Sequence, residues 1–182
     1  VHSLDILRAL NRAKVRYLVV GGVAVIYHGV PRGTFDIDLA VELQGANLER
    51  FERTVKQLGF VSKAPVSVTG LADPKTRRAW TQRKHMKVFS FQESHPPFRL
   101  VDVMVRPLRD FDRVYQRRVV VKDNGVIIPL APVSTLIQLK TRTGRLRRSR
   151  AARSPSASPP TRSWSRATTS HGRAWAPQKR GS

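Results

Sequence analysis

The segment Arg32-Gly-Thr-Phe-Asp-Ile-Asp-Leu-Ala-Val41 sets Asp36 and Asp38 two residues apart among apolar neighbours. In a strand, residues i and i+2 share a face. The two carboxylates then lie roughly 7 Å apart along the backbone, while Ile37 and Leu39 point the other way, into a core. Paired carboxylates on a largely buried strand repel each other and resist desolvation. A divalent cation resolves both problems, and oxygen ligands without a nearby Cys or His suit Mg²⁺ or Mn²⁺. The plainer alternative is an exposed pair on the solvent face of an edge strand. A third carboxylate, Asp102, stands alone in the apolar run Arg99-Leu-Val-Asp-Val-Met-Val105. If its strand pairs beside that of Asp36 and Asp38, three acids converge in the manner of two-metal nucleotidyl transfer. Two ions would bridge the carboxylates and a triphosphate, activate an acceptor hydroxyl and stabilise the pyrophosphate that leaves. Asp102 would ligate the second ion and take the acceptor's proton.

Such a site needs elements to hold it. Leu4, Ile6, Leu7 and Leu10 predict a helix with Ser3 as its N-cap. Val15 to Val20 reads as a buried strand broken by Gly21-Gly22, after which Val23 to His28 starts a helix. Glycines at a strand-to-helix turn let backbone N–H groups approach phosphates, where a helix start favours an anion; the alternative is a tight turn. Arg32 and Thr34 could donate to the same phosphates, or be ordinary loop residues. Residues 29–33 form a turn, Phe35 to Leu43 the second strand, and Asn47 to Leu58 an amphipathic helix ended by Gly59. Residues 60–83 carry no clear pattern. Met86 to Phe91 and Phe98 to Val105 predict two strands joined by a Pro-containing loop. Arg118 to Val121 and Val126 to Ile128 flank Asn124-Gly125 as a hairpin. Ala131 to Lys140 predicts a helix with Pro132 in its first turn. The fold class expected is α/β (α+β): a small mixed, mostly antiparallel sheet with helices packed on it.

The chain has 182 residues and no cysteine, so disulfides and thiolate metal sites are excluded. No apolar run approaches the roughly 20 residues of a membrane span, and no leader pattern opens the chain, so a cytoplasmic protein without a membrane partner is expected. Net charge is +22, a field that attracts polyanions. It is unevenly spread. The first 140 residues hold 23 Lys or Arg and all 12 acids, whereas Thr141 onward adds 11 Lys or Arg and no acid. After Leu146 there is no Leu, Ile, Val, Phe or Met. Residues 1–145 are therefore expected to form the folded domain, and 146–182 a disordered Arg/Ser/Pro/Ala-rich tail. One reading of the tail is a basic arm whose Trp164 and Trp175 stack on RNA bases. The favoured reading is an out-of-frame translation of a GC-rich gene. Lys75, Arg77, Arg78, Arg83 and Lys84 form a second basic stretch, read as a solvated loop in preference to an RNA guide. His28 is read as packing on a helix face.

The run Gly-Gly-Val-Ala-Val-Ile-Tyr-His-Gly-Val-Pro-Arg-Gly-Thr-Phe-Asp-Ile-Asp-Leu-Ala-Val, residues 21–41, resembles the signature of DNA polymerase β-like nucleotidyltransferases. Its spelling is most similar to the minimal bacterial enzymes of the abortive-infection, toxin–antitoxin type, over about residues 4–145. The resemblance implies that Gly21 and Gly22 cradle the nucleotide phosphates and that Asp36 and Asp38 hold both metal ions. It makes Asp102 the third carboxylate and puts Lys140 near the triphosphate, with Arg142 and Arg145 as lesser matches. The implied activity is Mg²⁺- or Mn²⁺-dependent transfer of an NMP from an NTP to a tRNA 3′ end or a protein, with a cognate antitoxin as partner. Relatives continue after this last helix with acidic and apolar residues, where this chain has Arg147-Arg148-Ser149. A rival expectation follows: an inactive or truncated nucleotidyltransferase-like module that binds nucleic acid through charge alone. A metal-dependent nuclease is a weaker third reading.

Overall fold

The computed structural model describes residues 4–31, 33–34 and 36–142, all of which fall within one compact unit spanning Val1–Leu146. Ser3, Arg32, Arg145 and the expected tail lie outside the described residues, as does the side chain of Arg142.

Seven strands form one sheet in the order β3-β4-β5-β2-β1-β7-β6. In chain order they are β1 (Tyr17–Val20), β2 (Ile37–Val41), β3 (Phe60–Ser62), β4 (Val88–Glu93), β5 (Leu100–Met104), β6 (Val119–Asp123) and β7 (Val126–Leu130). The β2–β5 and β1–β7 pairs are parallel, and the rest are antiparallel. The sheet is thus mixed and mostly antiparallel, and the class is α+β. The helices are α1 (Leu4–Arg12), α2 (Gly21–Tyr27), α3 (Gly45–Gln57), α4 (Pro74–Arg83), α5 (Phe111–Gln116) and α6 (Val133–Arg142).

Strand alternation decides the layers. Tyr17, Val19, Ile37, Leu39, Phe89, Phe91, Val101 and Val103 build the main core with Ile6, Leu7 and Leu10 of α1, Leu48, Phe51 and Val55 of α3, and Trp80 of α4. The opposite face of the central strands presents Leu18, Val20, Ala40 and Met104. It is covered by Leu108, by Phe111, Val114 and Tyr115 of α5, and by Leu136 and Leu139 of α6. The end of β2 is pinned by Asn47, whose amide donates to the carbonyls of Arg16 and Glu42 (both 3.0 Å) and accepts from the Arg16 N–H (2.9 Å). Arg16 also pairs with Glu42 and with Asp112, which ties α5 to the same corner.

Most expected elements are present with shifted ends. Gly59 takes φ +83 after α3, and Asn124 and Gly125 are both positive at φ 45 and 75, the pattern that a two-residue hairpin turn of right-handed twist requires. The second strand is shorter than expected and starts at Ile37, so Asp36 precedes it. Residues 60–83, unreadable in the sequence, form β3, a 3-10 turn (Val68–Ala72) and α4, so the basic stretch lies on a helix and not in a loop. Asp73 caps α4 by accepting from the N–H groups of Lys75 and Thr76. Arg77 donates to the carbonyls of Leu71 and Ala72, a structural tie back to the 3-10 turn. Helix α5 has no counterpart in the sequence reading. It is six residues long with none fully buried, too short to show a period.

Candidate functional site

The parallel β2–β5 ladder sets Asp38 directly opposite Asp102, with Ile37 opposite Val101 and Leu39 opposite Val103. Residues opposite each other in a ladder share a face. Both carboxylates therefore project from the side away from the main core, since Ile37, Leu39, Val101 and Val103 are all buried within it. Adjacent strands lie about 4.8 Å apart, so the two acids are close neighbours. On its other side Asp102 is opposite Ser90 of β4, and on its other side Asp38 is opposite Val20, where β1 ends and the glycine pair begins.

That junction explains the glycines in steric terms. Gly21 has φ +62, and a Cβ there would fall 1.9 Å from Asp38 Oδ2. A Cβ on Gly22 would fall 2.7 Å from Thr34 Oγ1. The pair makes room for the side chains of Asp38 and Thr34 beside the start of α2, and only glycine meets both the backbone and the space requirement at position 21. Thr34 itself donates loosely to the Asp36 carbonyl, at 3.5 Å.

Asp102 Oδ1 is buried and has no hydrogen-bond partner among the described residues. A buried carboxylate oxygen without a donor is expensive, and a cation seated against it would satisfy it. The donor chemistry of Asp38 and Asp102, oxygen only and in register, fits a hard divalent ion. Asp36 lies in the segment just before β2 and is not part of the β2–β5 register. Among the described residues no group of three His, Cys, Asp or Glu side chains stands close enough to hold a metal ion. Strand β2 begins at Ile37, two residues later than the expected start at Phe35, so Asp36 lies outside the paired ladder.

Lys140 is exposed on α6. Arg32 lies outside the described residues. His28 caps α2, and its Nε2 is 3.0 Å from the Ala131 carbonyl, joining the end of α2 to the approach to α6. The basic stretch on α4 belongs to the other layer, because Trp80 packs against Phe89 on the main-core face. Ser90 escaped the sequence reading. The alternation Val88-Phe89-Ser90-Phe91-Gln92 did put Ser90 opposite the phenylalanines, but nothing local says that Asp102 is its neighbour.

Among the described residues no helix is long and apolar enough to cross a membrane. The sequence matches no protein-family model and no curated protein. Its structure is similar to the crystal structure of a protein from Thermotoga maritima presumed to be a nucleotidyltransferase, with 18% identity and a TM-score of 0.52 over 78% of this chain and 81% of that one. It is more loosely similar to an antigenic nucleotidyltransferase-like protein from Paracoccidioides brasiliensis, with 15% identity and a TM-score of 0.46 over 81% of this chain and 66% of that one. At these identities the likeness speaks for architecture alone: the chain has a nucleotidyltransferase-like fold.

Proposed function

We propose that the chain is a metal-dependent nucleotidyltransferase that moves an NMP from an NTP to an acceptor hydroxyl, on a tRNA 3′ end or a protein. The single observation that carries this reading is the in-register pair Asp38–Asp102 with the orphaned Asp102 Oδ1, inside a nucleotidyltransferase-like fold. Asp38 and Asp102 would hold Mg²⁺ or Mn²⁺, with Asp36 joining through its adjacent segment for a second ion. The metal supplies charge stabilisation at the triphosphate and lowers the pKa of a bound hydroxyl. Asp102 accepts the proton of the attacking hydroxyl. Gly21 and Gly22 keep side-chain bulk away from Asp38 and Thr34, and their backbone at the strand-to-helix turn is assigned to the phosphates by the resemblance. Thr34 and Arg32, which precede the aspartates, are assigned to the same phosphates as donors, and Lys140 is assigned to them by the resemblance. The same resemblance extends the reading to the toxin of a toxin–antitoxin pair.

Incubation with α-labelled NTPs, Mg²⁺ and bulk RNA or total protein tests the proposal. The expected result is macromolecular labelling with release of pyrophosphate, abolished by Asp38→Ala and by Asp36→Ala. Labelling that persists in both variants refutes the assignment. A second reading, a non-catalytic module that binds nucleic acid by charge, is favoured by the absence of a three-carboxylate cluster among the described residues. Salt-sensitive RNA binding without metal-dependent NTP binding would select it.

A further inference from the structure

The row that contains the carboxylates continues past Asp102. Ser90 and Asp102 are opposite each other in the antiparallel β4–β5 ladder. The N–H of Glu93 bonds to the Arg99 carbonyl (2.9 Å), and that of Val105 to the Lys87 carbonyl (3.2 Å). Hydrogen-bonded positions therefore fall on odd residues of β4, and Ser90–Asp102 is a non-hydrogen-bonded pair, the kind in which side chains stand closest. The Ser90 carbonyl turns the other way and accepts from the N–H of Lys63 at 2.9 Å, which extends the β3–β4 register by one residue and sets Lys63 opposite Ser90. Across the sheet the order is Lys63, Ser90, Asp102, Asp38.

Ser90 makes no side-chain bond and Lys63 no ion pair among the described residues. Lys63 is exposed, and Ser90 is half-buried. Helices α5 and α6 cover the neighbouring Leu18, Val20, Ala40 and Met104, whereas the far end of the row at Lys63 is exposed. The glycine pair and α2 adjoin Asp38, so an NTP held there approaches from one end of the row. The other end is left for the second substrate.

We propose that Ser90 and Lys63 form the acceptor subsite for the 3′ end of a nucleic-acid strand. This rests on the nucleotidyl-transfer reading above. Ser90 accepts or donates a hydrogen bond to the terminal ribose, holding its hydroxyl against Asp102, and Lys63 pairs with the phosphate behind it. In the reaction the hydroxyl proton passes to Asp102, and the acceptor oxygen bonds the α-phosphorus of the NTP. The bond from that phosphorus to its bridging oxygen breaks, and pyrophosphate departs. A protein acceptor gives Lys63 no phosphate to bind, so the cation at the far end of the row selects nucleic acid.

The test uses the full chain with Mg²⁺, α-labelled NTPs and bulk tRNA as probe. Ser90→Ala is expected to raise the KM for tRNA about tenfold, the loss of one hydrogen bond, with the KM for NTP unchanged and with recovery in Ser90→Thr. Lys63→Ala is expected to weaken tRNA binding and to lower the slope of log K against log salt by about one. Wild-type KM for tRNA in both variants overturns the subsite while leaving nucleotidyl transfer in place. Labelling of protein and not of tRNA also overturns it. A wild-type chain that binds no NTP with Mn²⁺ removes the underlying reading, and the subsite with it.

Discussion

A single backbone angle and a single orphaned oxygen define the candidate site at the residue scale. Gly21 combines φ +62 with a Cβ position 1.9 Å from Asp38 Oδ2. Gly21→Ala is therefore expected to destabilise the fold by at least about 2 kcal/mol, through backbone strain and displacement of Asp38. Urea denaturation measures this, and an unchanged midpoint would mean that Asp38 can swing clear freely. Asp102 makes the opposite prediction. Its buried Oδ1 lacks a donor, so Asp102→Asn removes an ill-solvated charge and is expected to stabilise the metal-free chain by about 1 kcal/mol. On the proposed function, added Mg²⁺ is expected to stabilise the native chain but not this variant, which is expected to lose nucleotide transfer as well. A destabilised Asp102→Asn would show that this carboxylate serves the fold rather than a ligand.

Ionic ties join several elements of the fold, and Arg99 is one hub of them. It donates to Glu93 (2.7 Å) across the β4–β5 turn and to Asp5 (2.7 Å) on α1, and lies over the Phe60 ring. Burial works against the Asp5 charge, but the hydrogen bond and positive charge of Arg99 outweigh it and hold that carboxyl below its usual range. The hydrogen bond from Arg99 holds Glu93 low as well, against a smaller desolvation. Both folded pKa values are depressed, so their stabilisation is present above the ordinary carboxylate range near pH 4 and is lost as pH falls through the folded values. Arg99→Met should lower stability at pH 7 by about 1–2 kcal/mol, intermediate between an exposed and a buried pair. It should also flatten the acid limb of the stability curve, as urea midpoints taken from about pH 2 to pH 7 would record. Parallel acid limbs in the two proteins would exclude Arg99 as the cause.

The whole molecule carries its charge unevenly, and that has a measurable consequence. The described residues end at position 142, and beyond Leu146 the sequence holds nine Lys or Arg and no acid. A chain ending at Leu146 is expected to keep its melting temperature within about 2 °C, a shift worth at most about 1 kcal/mol. It should bind RNA more weakly, with a shallower salt dependence, because every phosphate left unneutralised takes about 0.7 off the slope for single strands. A large drop in melting temperature would mean that the basic residues belong to the fold.

What the sequence by itself determined was local. The Asn124-Gly125 turn, the amphipathic period of α3, the Gly59 stop and the Asp-x-Asp beside a glycine pair are all readable because each depends on neighbours within a few residues. Strand β3, the 3-10 turn and helices α4 and α5 were not readable, because their short apolar stretches acquire meaning only when Trp80 meets Phe89 and Phe111 meets the sheet. The tertiary structure alone decided that Asp38 faces Asp102, that Asp36 stands outside their ladder, and that Gly21 yields space to Asp38. Register between strands more than sixty residues apart is set by packing both faces of a sheet, and no local pattern encodes it.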